Sequence, residues 1–126
     1  MIEKPLDTVL MNCPSSQAWT EDSFLGDLEN IGVWSPNKYW ELECALYLLT
    51  ANQLDRAILA AVFKIYSRLI RLFSSHRDPN DAFRFVKLTS EDVFELEERI
   101  ELVFEGVFFA KMPSQSLFSQ KNPLME

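Results

Sequence analysis

The chain has 126 residues and a formal net charge of −7, with 48% hydrophobic and 13% aromatic residues. That length matches one domain able to bury a core without staples, and the apolar fraction excludes disorder as the default. The acidic balance argues against a general nucleic-acid binder, which needs cations to displace counterions from phosphate. Having only three glycines disfavours a β-rich fold with many tight turns.

Residues 1–18 carry little periodic signal. Leu6, Val9 and Leu10 are available to cover part of a core, Pro14-Ser15-Ser16 marks a loop, and the segment reads as irregular. Thr20 to Ile31 reads as a short helix. Thr20 is the candidate cap, and Glu21 and Asp22 suit the positive end of the helix dipole. Phe24, Leu25, Leu28 and Ile31 share one face, and Gly32 suits the left-handed position that closes a helix. Ser35-Pro36 opens the next helix, with serine as cap and proline in the first turn. This helix runs to about Thr50. A connection as short as Ala51-Asn52 predicts that the following helix is its antiparallel neighbour, and Thr50 with Gln53 has capping-box spacing.

The stretch to Arg77 is the strongest helical signal. Leu54, Ala57, Ile58, Ala61, Val62, Ile65, Tyr66, Leu69, Ile70 and Phe73 recur at i, i+3, i+4, while Phe63 and Leu72 fall outside the stripe. A helix this apolar needs neighbours around most of its girth. Asp78-Pro79-Asn80-Asp81 is a further helix-start signature and predicts a short helix to about Val86. The rival reading is a strand, because Phe83 and Phe85 alternate with Arg84 and Val86. Thr89-Ser90-Glu91-Asp92 starts the last helix, which runs to about Lys111 on a core stripe of Val93, Leu96, Ile100, Val103, Phe104 and Val107. The tail from Pro113 reads as loose, with Leu117 and Phe118 available to dock it.

Charge is distributed in blocks. Residues 1–52 carry eight acids against Lys4 and Lys38, residues 53–77 five bases against Asp55, and residues 90–111 seven acids against Arg99 and Lys111. Part of this charge is expected to pair within the chain, where surface pairs contribute little. Cys13 and Cys44 have no metal spacing, and without an export signal a disulfide is not expected. The N-terminal residues show no basic region followed by an apolar core, and every apolar run is too short for a membrane span. The cytoplasm is the expected compartment.

No residue pattern announces catalysis. His76, the only histidine, has no partner at metal or triad spacing. A carboxylate pair among Glu97, Glu98 and Glu101 is more simply read as a solvated helix face. No phosphate loop, metal site or cofactor motif is present. The basic stripe of Lys64, Arg68 and Arg71 suits either an anionic ligand or pairing with the acidic helices. The most informative feature is the second face of the last helix, where Glu91, Phe94, Glu95, Glu98, Glu101, Leu102, Glu105 and Phe109 lie off the core stripe. Two readings of this face stand. Phe94, Leu102 and Phe109 pack under the N-terminal segment or the tail, or they form an acidic-aromatic interface for a basic protein. In the second, aromatics anchor and carboxylates steer association.

The segment Phe24-Leu25-Gly26-Asp27-Leu28-Glu29-Asn30, followed by Tyr39-Trp40-Glu41-Leu42-Glu43-Cys44-Ala45-Leu46, resembles the opening of a family of bacterial immunity proteins. These accompany toxins of contact-dependent growth inhibition and related polymorphic toxin systems. The resemblance covers roughly residues 24–49. It implies a single-domain, non-catalytic protein that binds and neutralises a cognate toxin, often a nuclease attacking RNA, and it places no contact residue.

The combined expectation is an all-α, single-domain bundle of four main helices plus one short helix over residues 1–126, with residues 1–18 irregular and 113–126 loose. Its partner is expected to be a basic toxin domain, with no nucleic acid, membrane, metal or cofactor involved. The alternative from another class is a regulatory adaptor for a basic cellular protein.

Overall fold

The structure is a computed structural model that describes residues 3–125. It is all-helical, with no strand among the described residues. The helices are α1 (Glu3–Met11), α2 (Phe24–Ile31), α3 (Pro36–Thr50), α4 (Arg56–Arg77) and α5 (Ser90–Phe109), followed by two short 3-10 turns, Gln115–Leu117 and Pro123–Met125.

The first correction concerns the irregular segment expected over residues 1–18. Apart from residues 1–2, which lie outside the described residues, its first half is helical. Pro5 is compatible because it sits in the first turn, where no intrahelical N–H bond is lost. Leu6, Val9 and Leu10 then fall on one face, with Val9 in the core and the other two packed against it. Asn12 fixes the end of the helix. Its Nδ2 donates to the Thr8 carbonyl at 2.9 Å, and its Oδ1 accepts from the Leu25 N–H at 3.0 Å.

Helix α2 starts later than expected because Ser23, not Thr20, caps it: Ser23 Oγ accepts from the Gly26 N–H at 3.0 Å. Gly26 is required by close approach. A Cβ there would lie 2.3 Å from the Glu21 carbonyl oxygen, well inside van der Waals contact. Gly32 ends the helix in the left-handed region, at φ 69°, as the sequence predicted. Ile31, placed on the buried face by spacing, is 62% exposed.

Helix α3 is the hub. It packs against α1, α2, α5 and the last 3-10 turn. It does not lie along α4, against the expectation from the short connection. The place beside α3 is taken by α1, which also touches α4, while α4 packs chiefly on α5. The cap of α4 is Asp55, whose Oδ1 accepts from the Ile58 N–H at 2.9 Å, and not the Thr50–Gln53 box.

The short helix expected over residues 78–86 does not form. Asp78 Oδ1 accepts from the Asn80 N–H and Asp81 Oδ1 from the Phe83 N–H, each at 2.9 Å. These local bonds compete with helical ones. The segment runs on as an irregular chain. Phe85 packs edge-on to Phe73 with ring centroids 5.0 Å apart, and the Val86 N–H donates to the Gly32 carbonyl at 2.9 Å. His76 Nδ1 accepts from the Phe85 N–H at 3.1 Å, so the lone histidine holds this segment in place. Burial first, then the charges of Arg84 and Arg77, push its pKa down, which keeps Nδ1 free to accept.

The α4 stripe behaves as the periodicity predicts at Ala61, Val62, Ile65, Leu69 and Phe73, all buried. Phe63, outside the stripe, is exposed. The tail is not loose: Asn122 is fully buried, for reasons that belong to the site below. Glu126 lies outside the described residues.

Candidate functional site

Helix α5 carries the surface singled out by the sequence. Its start is specified twice over. Thr89 Oγ1 accepts from the Asp92 N–H and Asp92 Oδ2 accepts from the Thr89 N–H, both at 3.0 Å, completing a capping box. Glu91 and Asp92 sit at the positive end of the helix dipole. Val93, Ile100, Val103, Phe104 and Val107 are buried, which turns the opposite face outward.

On that face Glu91, Glu95, Glu98, Leu102, Glu105 and Phe109 follow one another at three- and four-residue spacing, with Phe94 and Glu101 on its flank. All eight are exposed. Phe94 is 56% and Phe109 76% accessible, so neither is covered by the N-terminal segment or the tail. Among the described residues, none of the five glutamates forms an ion pair within the chain. Their neighbour Glu97, one position round the helix, does pair with Arg77. The field of this face reaches Tyr66 on α4. Burial, then the carboxylates of Glu101, Glu97 and Glu105, push its hydroxyl pKa up. Phe108, 43% accessible, adds a further exposed aromatic that the sequence reading did not select.

The face divides into two hollows. Glu95 and Glu98 border a groove of about 560 Å3 whose other walls include Trp34, Trp40, Leu117 and Phe118. Leu102, Glu105 and Phe109 border a shallower hollow of about 480 Å3 with Met112 and Pro113. Glu91, Phe94 and Glu101 line neither.

Beneath the first groove lies the feature that sequence reasoning missed. Glu43 of α3 and Arg99 of α5 form a buried ion pair, with Nε to Oε1 at 2.6 Å and Nη2 to Oε2 at 2.9 Å. Neighbouring groups bond both carboxylate oxygens and the outer guanidinium nitrogens of the pair. Tyr39 donates its hydroxyl to Glu43 Oε1 at 2.7 Å. Gln115 Nε2 and Asn122 Nδ2 donate to Oε2 at 3.1 and 3.0 Å. Arg99 Nη1 donates to the Gln120 carbonyl. The guanidinium also lies 4.8 Å from the Trp40 ring centroid and 4.1 Å from that of Phe118. Burial pushes the Glu43 carboxyl up, but the bonds from Arg99 and Tyr39 and the Arg99 charge outweigh it, so it is held below the usual carboxylate range. The signal was present in the sequence. Arg99 falls beside Leu96 and Val103 at helical spacing, and Glu43 sits between core positions Leu42 and Ala45.

Of the basic stripe on α4, Arg68 donates to Glu29 Oε2 at 2.5 Å, which places it in the pairing predicted as one option. Lys64 and Arg71 are exposed. Cys13 and Cys44 are both free thiols. No helix among the described residues is long and apolar enough to cross a membrane.

No family model, no curated protein and no solved structure matches the chain. The residues that carry the resemblance to immunity proteins are mostly interior. Phe24, Leu25, Leu28, Tyr39, Leu42, Glu43, Ala45 and Leu46 are all buried, so much of that stretch encodes packing.

Proposed function

We propose that this chain is a non-catalytic binding protein, a single helical-bundle domain acting as an immunity protein that neutralises a basic toxin domain in the cytoplasm. The observation that carries the reading is the outer face of α5. Five glutamates with no ion pair among the described residues lie there with exposed Phe94, Leu102 and Phe109. Aromatics in such a setting anchor a complex, and unpaired carboxylates raise the rate of encounter with a cationic surface. The resemblance over residues 24–49 adds the partner class, a toxin nuclease acting on RNA. The basic substrate cleft of such an enzyme is the natural counterpart of an acidic face. Carboxylates laid over it take the electrostatic place of phosphates and exclude the substrate.

The test is recovery of the partner. The tagged chain, purified from its native host, is expected to bring down the C-terminal domain of a polymorphic toxin, and co-expression is expected to restore growth to cells producing that domain. Recovery of a basic housekeeping protein instead, with no protection from any toxin, would replace this reading with that of a regulatory adaptor.

A further inference from the structure

The groove above the buried ion pair is a site in its own right. Its walls come from the turn into α3 (Trp34, Pro36), from α3 itself (Trp40), from the first half of α5 and from the tail (Leu117, Phe118). Three carboxylates, Asp92, Glu95 and Glu98, border it. Its one cation among the described residues is Arg99, which is neutralised by donating two bonds to Glu43 and has all three guanidinium nitrogens engaged.

We propose that this groove receives arginine side chains of a basic polypeptide segment, the aromatic walls covering the guanidinium planes and Glu95 and Glu98 accepting their N–H donors. The inference rests on the basic-partner reading above and specifies which chemistry of that partner is bound. Charge decides the class of occupant. An anion would meet three carboxylates and an arginine whose nitrogens are already bonded. A purely apolar segment would strip water from the carboxylates without replacing it. A guanidinium satisfies both sets of walls at once, because it stacks on aromatic faces and pairs in a fork with carboxylates. The protein already contains the arrangement in miniature: Arg99 lies between the Trp40 and Phe118 rings and forks onto Glu43. The volume, about 560 Å3, falls in the range of side-chain and small-ligand sites.

The probe is acetylated hexa-arginine amide, titrated into the full chain with tryptophan fluorescence and calorimetry as readouts. Trp34 and Trp40 line the groove and Trp19 does not, so filling it changes the emission. Saturable one-to-one binding is expected, with none for hexaglutamate. The decisive comparison is between two variants that remove the same charge from exposed positions. Glu95→Gln with Glu98→Gln is expected to weaken binding by about tenfold or more, since each loses a charge-assisted bond. Glu21→Gln with Asp22→Asn, both exposed and outside the groove and the α5 face, is expected to change it less than about twofold, the screened loss of distant surface charge. Equal weakening by both pairs, or titration without saturation, overturns the proposal. If hexa-arginine fails while a toxin domain co-purifies, the groove assignment falls and the immunity reading stands. If hexa-arginine binds as expected and no toxin is recovered, the reverse holds.

Discussion

Two residues that the sequence hid among ordinary charges centre the buried polar network. Glu43 and Arg99 are held in the interior by each other and by Tyr39, Gln115, Gln120 and Asn122. Removing one member leaves a buried charge without its counter-charge. Glu43→Ala or Arg99→Ala is therefore expected to cost about 3–5 kcal/mol, whereas the double change Glu43→Leu with Arg99→Leu costs far less. Urea midpoints of the three variants check this, and equal costs for single and double changes would remove the pair from its central place. The sign with pH follows from the lowered Glu43 carboxyl. Its folded value lies below its unfolded one, so its contribution is complete above the ordinary carboxylate range and is lost as pH falls through the folded value. Glu43→Gln is expected to flatten the acid limb of the stability profile.

At the scale of elements, the tail and α1 revise the sequence reading in the same direction: both are structural. The segment after Pro113 contains little periodic apolar signal, yet it supplies four hydrogen bonds to the buried pair. Asn122 also ties it to the Trp40 carbonyl at 3.0 Å. Deleting residues 114–126 exposes Arg99 and Glu43 and is expected to destabilise the chain by about 2–4 kcal/mol, the scale of several lost buried bonds softened by returning water. A truncated chain that melts at the parent temperature would show the tail to be dispensable. The irregular 78–86 segment is anchored in a similar way, by side-chain bonds from Asp78, Asp81 and His76. Helix-start residues are also turn residues, and here the turn prevails: Asp78 and Asp81 accept from the Asn80 and Phe83 N–H groups, and Phe85 packs beside Phe73.

For the whole molecule, the blocks of charge in the sequence become a partly paired surface. Arg68 meets Glu29 and Arg77 meets Glu97, so the basic helix is partly neutralised by its acidic neighbours. The outer face of α5 keeps its negative charge. The association rate with the proposed basic partner is expected to fall steeply as salt rises from about 0.05 to 0.5 M, while dissociation changes little. Glu98→Lys with Glu101→Lys is expected to slow association and flatten that salt dependence, with thermal unfolding unchanged. Stopped-flow measurements across the salt series decide it, and rates identical to the parent's would move the interface off this helix.

Local sequence patterns identified the core stripes of α4 and α5, the Gly32 terminus of α2 and the Thr89 start of α5, because these depend on residues a few positions apart. The off-stripe placement of the acidic and aromatic residues of α5 was legible for the same reason, but that Phe94, Leu102 and Phe109 remain exposed depended on where the N-terminal segment and the tail pack. Pairings across the fold were not legible. That Glu43 meets Arg99, that the tail closes over them, that α1 takes the place beside α3, and that Trp40 and Phe118 frame one groove depend on residues tens of positions apart. Their encounter is set by how whole helices pack, and no local pattern of side chains encodes that.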